Sequence, residues 1–175
     1  MRKTLTAFTI LCFTTTYAGS DEVPFFLKFL QVKQPEQIEA PTVIEIAMDY
    51  RNFNVKNNRK ELKEFMSIDP ALIPWCAGFT NSVLDKAGYK TTGDLLASSY
   101  HKYGVRVRNP EPGDIAITKR KGGSGRHVAF YYGSFSEEGV KYVQLLGGNQ
   151  NKSVNITPVP AKKIVEYRRP VKKNA

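Results

Sequence analysis

The hydrophobic period of the chain changes once, near Gly104, and that change constrains the fold more than any other feature. Before it, apolar residues recur at helical spacing. Val43, Ile46, Ala47 and Tyr50 form one set and Leu62, Phe65 and Met66 another, which predicts two short helices ahead of Asp69-Pro70. Cys76, Phe79, Val83, Leu84 and Ala87 mark one face of an amphipathic helix ending at Gly88, and a further helix is expected from about Gly93 to His101. Beyond Gly104 the apolar residues come in short runs rich in Val, Ile and aromatics: Asp114 to Thr118, His127 to Tyr132, Val140 to Leu146, Val154 to Thr157 and Ile164 to Tyr167. Helices first and strands afterwards predict an α+β domain with an antiparallel sheet.

Composition narrows the class. The 175 residues, 41% hydrophobic and 11% aromatic, suit one globular domain and carry too much apolar surface for a disordered chain. The longest apolar stretch in the body, Val128 to Tyr132, falls far short of the roughly 20 residues that span a bilayer, so no membrane span is expected. Met1 to Ala18 reads as a secretory signal peptide: Arg2 and Lys3, an uncharged run from Thr4 to Tyr17, then the small Ala18. The remaining organisation is a flanking arm at 19–42, a domain at 43–170 and a basic tail at 171–175. A secreted or periplasmic protein is therefore expected, and a monomer.

Loss of that leader would take Cys12 with it and leave Cys76 alone, unable to form an intramolecular disulfide. An intermolecular bridge, a reactive thiol or an inert buried thiol all remain open. Its position favours reactivity, because the first turn of a helix presents unpaired amides and partial positive charge that stabilise a thiolate. The same amides could hold the oxyanion of a tetrahedral intermediate.

A nucleophilic cysteine needs a base that exchanges protons near neutral pH, and histidine is the usual one. His101, in a polar helix end, is most simply a surface residue. His127 opens a strand straight after a glycine-rich approach that includes Gly125, which leaves room for substrate. Alternation puts His127, Ala129 and Tyr131 on one face and Val128, Phe130 and Tyr132 on the other; a partly buried strand histidine is the structural alternative. Asn149, at the end of the next strand, could orient the imidazole, although two glycines followed by Asn also describe an ordinary turn. Two histidines and one retained cysteine are too few for a zinc site, so neither metal nor cofactor is expected.

Five segments in order, Pro74-Trp75-Cys76-Ala77-Gly78-Phe79, Pro112-Gly113-Asp114-Ile115, Gly125-Arg126-His127-Val128-Ala129-Phe130, Leu146-Gly147-Gly148-Asn149-Gln150 and Tyr167-Arg168-Arg169-Pro170, resemble the CHAP-like cysteine peptidases and amidases. These are a branch of the papain-like cell-wall hydrolases that includes the NlpC-type enzymes. The resemblance implies a papain-like α+β fold with the nucleophile on a helix packed on the sheet, and hydrolysis of an amide bond in peptidoglycan. It assigns Cys76 as nucleophile, His127 as base and Asn149 as the orienting residue, with Trp75, Gly125, Gly148 and Gln150 about the substrate. Asp114 is expected to shape the turn into its strand.

The formal charge of +10 suits an anionic partner, which the resemblance makes peptidoglycan or an anionic wall polymer. Nucleic acid is not expected, since the basic residues are dispersed and form no recognised motif. The competing function is a basic wall-binding domain of the same fold in which Cys76 is merely packed.

Overall fold

The computed structural model describes residues 42–120 and 125–174. The expected signal peptide and the arm as far as Pro41 lie outside the described residues. Thr42 opens the first helix of the described residues with a capping box: its hydroxyl accepts from the Glu45 amide while the Glu45 carboxylate accepts from the Thr42 amide. Among the described residues there are three α-helices, α1 at Val43–Asp49, α2 at Arg59–Met66 and α3 at Cys76–Lys86. The longer helix expected from Gly93 is only a 3-10 helix at Ala97–Lys102. Gly93 has a φ of +67° and Leu96 is extended, so helical bonding cannot begin before Ala97.

Six strands follow among the described residues: β1 Val105–Val107, β2 Ile115–Lys119, β3 Arg126–Glu137, β4 Val140–Gln150, β5 Ser153–Pro160 and β6 Ile164–Arg169. All pairings are antiparallel, in the order β1-β6-β2-β3-β4-β5. The class is thus α+β, as the change of period requires. The strand not foreseen, β1, has three residues of which only Val107 is even partly buried, so it carries no alternation to read. β3 outruns its apolar core because its exposed residues keep pairing with β4, from Ser134 opposite Val143 out to Glu137 opposite Val140, and β4 runs on past Leu146 to Gln150 by pairing with β5.

The strand period divides the interior. Ile115, Ile117, Val128, Phe130 and Leu146 form one face, packed with Cys76, Phe79 and Val83 of α3. Ala116, Ala129, Val143 and Leu145 form the other, joined by Tyr131, Val159, Ile164 and Tyr167. The helix lies close to the sheet at Gly148, where a Cβ would stand 2.5 Å from Trp75 Cζ3 and 2.7 Å from Phe79 Cβ.

Two of the sequence motifs are ties within the scaffold. Asp114, 3% exposed, accepts from the Glu111 amide at 2.8 Å and receives both Nε and Nη2 of Arg169, at 3.0 and 2.9 Å. A bidentate pair of this kind joins the turn before β2 to the end of β6 and supports the Arg169 guanidinium, whose pKa it raises. The expected basic tail is docked rather than free. Lys172 Nζ donates to the Ala87 carbonyl at 3.0 Å and stands 4.0 Å from the Tyr89 ring centre, and Lys173 pairs with Asp85 at 2.7 Å. Cations there complement the carbonyl end of α3.

Removing the buried carboxylate leaves the Glu111 amide without its acceptor and Arg169 with only the Glu111 carboxylate. Asp114→Ala is expected to cost about 2 kcal/mol, read as a lower urea midpoint at unchanged slope.

Candidate functional site

Cys76 is the first residue of α3, and Trp75 before it has no acceptor side chain to cap the helix. The opening amides of α3 therefore keep the donor capacity that an anion would use. The Cys76 side chain is 3% exposed, yet it lines a groove of about 480 Å³. Ile73, Pro74, Leu95 and Leu96 give that groove an apolar wall. Arg120, Gly125 and Arg126, from the end of β2 and the approach to β3, give it a cationic one. The Arg120 amide donates to the Gly125 carbonyl at 2.9 Å and holds this wall together.

His127 follows directly in β3, opposite Thr118 of β2. Its register places it with Ala116 and Ala129, on the face opposite to Val128 and Phe130, which pack under α3. It is half-buried in a second cleft, also of about 480 Å³, shared with Arg120, Asn149, Gln150, Asn151 and Lys152. Arg120 lines both depressions at one end of the sheet, the Cys76 groove on the α3 side and the His127 cleft on the opposite face. The polar contact of the imidazole is with Gln150, Nε2 to Oε1 at 3.4 Å; among the described residues no hydrogen bond joins it to Cys76.

Gln150, not the expected Asn149, therefore meets the histidine, and a bulge is the reason. The β4–β5 register shifts by one residue between Gly147 and Gln150, with Asn149 at a φ of +59°. The extra residue returns Gln150 to the face of Leu145, where uninterrupted alternation would have put Asn149. The turn that follows, Asn151-Lys152, has φ of +54° and +60°, the signature of a two-residue type I′ hairpin. Gln150 is then locked: its amide nitrogen donates to the carbonyls of Leu145 at 3.0 Å and Asn155 at 2.6 Å, and to Asn155 Oδ1 at 3.1 Å. Thr157 steadies that Asn155 oxygen at 2.7 Å. With Nε2 of Gln150 committed, its Oε1 faces the ring, which assigns the proton to His127 Nε2 and leaves Nδ1 basic.

Burial lowers the His127 pKa from 6.5 to about 4; the Gln150 hydrogen bond opposes this, and the charge of Arg120 adds to it. The ring is therefore neutral at pH 7, the form a general base requires. Asn149 lines the same cleft, and Gly125 lines the Cys76 groove. Trp75 and Gly148, expected about the substrate, pack against each other instead, Trp75 being 1% exposed. His101 pairs with Glu166, which also receives Arg168. Sequence reasoning missed the placement of Arg120 and Lys152 beside the histidine: Arg120 stands in the basic run Lys119-Arg120-Lys121, but Lys152 is an isolated lysine.

A scan against protein-family models finds none that matches, and no curated protein matches the sequence.

Because the folded pKa of His127 lies below its unfolded value, its contribution to stability is present above pH 6.5 and lost as pH falls toward 4. Between pH 7 and pH 4, His127→Gln is expected to lose up to about 3 kcal/mol less stability than the parent in urea titrations.

Proposed function

We propose that this protein is a cysteine hydrolase of papain-like architecture that cleaves an amide bond in peptidoglycan. It works as a monomer in the periplasm or outside the cell. The observation that carries the reading is the Cys76 groove: a cysteine at a helix start opens into it, and its cationic wall includes Arg120, which also lines the cleft of a neutral histidine held by an anchored glutamine. The five-segment resemblance to the CHAP-like enzymes supplies the substrate class.

The chemistry is acyl transfer in two steps. His127 Nδ1 takes the thiol proton of Cys76, and Sγ attacks the amide carbonyl carbon while amides at the start of α3 donate to the developing oxyanion. The C–N bond breaks as His127 returns the proton to the leaving amine. Water, deprotonated by Nδ1, then attacks the thioester, releasing the carboxylic acid and restoring the thiol. Sγ and the imidazole must meet for the first step, and such contacts are commonly loose in free enzymes and tighten with substrate.

A second reading, a wall-binding domain without turnover, is favoured by the buried thiol and its missing hydrogen bond to His127. Mass spectrometry of peptidoglycan digested by the purified protein separates the two. Hydrolysis predicts new amine and carboxyl termini, and Cys76→Ala lowers their release by roughly a thousandfold or more while sedimentation with peptidoglycan persists. Undigested peptidoglycan that sediments equally with both proteins establishes the binding domain.

A further inference from the structure

The two depressions that share Arg120 differ in chemistry, and the difference bears on which amide the site would accept. On the Cys76 side the wall is aliphatic, and it extends outward through side chains that the domain leaves in water: Leu72 is 75% exposed, Leu96 64%, Leu95 41% and Ile73 38%. Clustered aliphatic exposure at a groove marks a contact surface rather than a folding need. On the His127 side the lining is polar and cationic, with Arg120 and Lys152 among Asn149, Gln150 and Asn151. Among the described residues no aspartate or glutamate lines either depression, and neither Arg120 nor Lys152 forms an ion pair. Both residues are exposed, so they are charges unneutralised by the fold at the mouth of the site.

Acyl transfer gives these sides distinct occupants. The carbonyl carbon bonds to Sγ, so the acyl portion remains against the Cys76 wall. The amine leaves with a proton from the imidazole, so the amine portion lies beside His127.

We infer that the site selects amides whose acyl portion is apolar and whose amine portion carries a carboxylate bound by Arg120 and Lys152. The inference rests on the hydrolase reading and narrows it. In peptidoglycan it points to bonds with a lactyl or alanyl group on the acyl side and an acidic peptide on the amine side. It points away from a γ-glutamyl bond, whose acyl residue would bring a carboxylate to the aliphatic wall.

The test uses N-acetyl-alanyl-aspartate and the same compound with both carboxylates converted to carboxamides. Binding to Cys76→Ala is measured by calorimetry, and turnover by the parent protein is followed as released amine. The carboxylate form is expected to bind at least about tenfold tighter at low salt, a preference that shrinks as salt rises. In the Arg120→Gln, Lys152→Gln double variant the preference falls below about twofold; both sites are exposed, and circular dichroism checks that the variant is folded. Equal binding of the two forms, failure to bind either, or a preference untouched by the double variant overturns the inference. A carboxylate preference in binding with no release of amine supports the cleft assignment and defeats the hydrolase reading instead.

Discussion

The close seating of α3 on the sheet at Gly148 is the contact on which the site depends. Trp75 and Phe79 occupy the space that any side chain at 148 would need, so the helix start can lie against the strand end only because that residue is glycine. Interiors pack to crystal density, and a single Cβ within 3 Å of two aromatic side chains would push the helix outward. Cys76 comes one residue after Trp75, and the groove it lines is bounded by the approach to β3. One steric fit thus seats the helix that carries Cys76 against β4, the strand paired with the one that carries His127.

A second local device acts on the far side of the sheet. The bulge at Gly148-Asn149 moves Gln150 to the face of His127, and the tight Asn151-Lys152 turn brings β5 back so that Asn155 can hold the Gln150 amide. Each hydrogen bond contributes on the order of 1 kcal/mol, but together they remove the freedom of the amide to flip. An unanchored glutamine would offer the ring either its oxygen or its nitrogen. The network decides the tautomer, and hence which imidazole nitrogen can act as a base.

Charge is distributed to suit this plan. The acidic residues with well-defined partners, Asp114, Glu166, Asp69 and Asp85, are each committed to arginine, lysine or histidine within the scaffold. The excess of positive charge is left elsewhere, and part of it, Arg120 and Lys152, stands at the cleft beside His127. Burial keeps the imidazole neutral, the charge of Arg120 adds to that effect, and the same charge draws anions to the cleft.

The class of the fold was legible because period is a local property. The helical spacing of Cys76, Phe79 and Val83, and the alternation of Val128 and Phe130 against Ala129, follow from the residues themselves, and both sets lie where that spacing puts them. Cys76 at the start of its helix and Asp114 as a turn-shaping residue were readable for the same reason. What escaped depends on partners distant in the chain. The exchange of Gln150 for Asn149 needs the register of β5, and the burial of Trp75 needs Gly148, 73 residues away. The cationic cleft needs Arg120 and Lys152 to be carried together by strand pairing. A sequence prescribes which face of an element is apolar, but a bulge, a close approach or a cluster of like charges exists only once separate elements are packed.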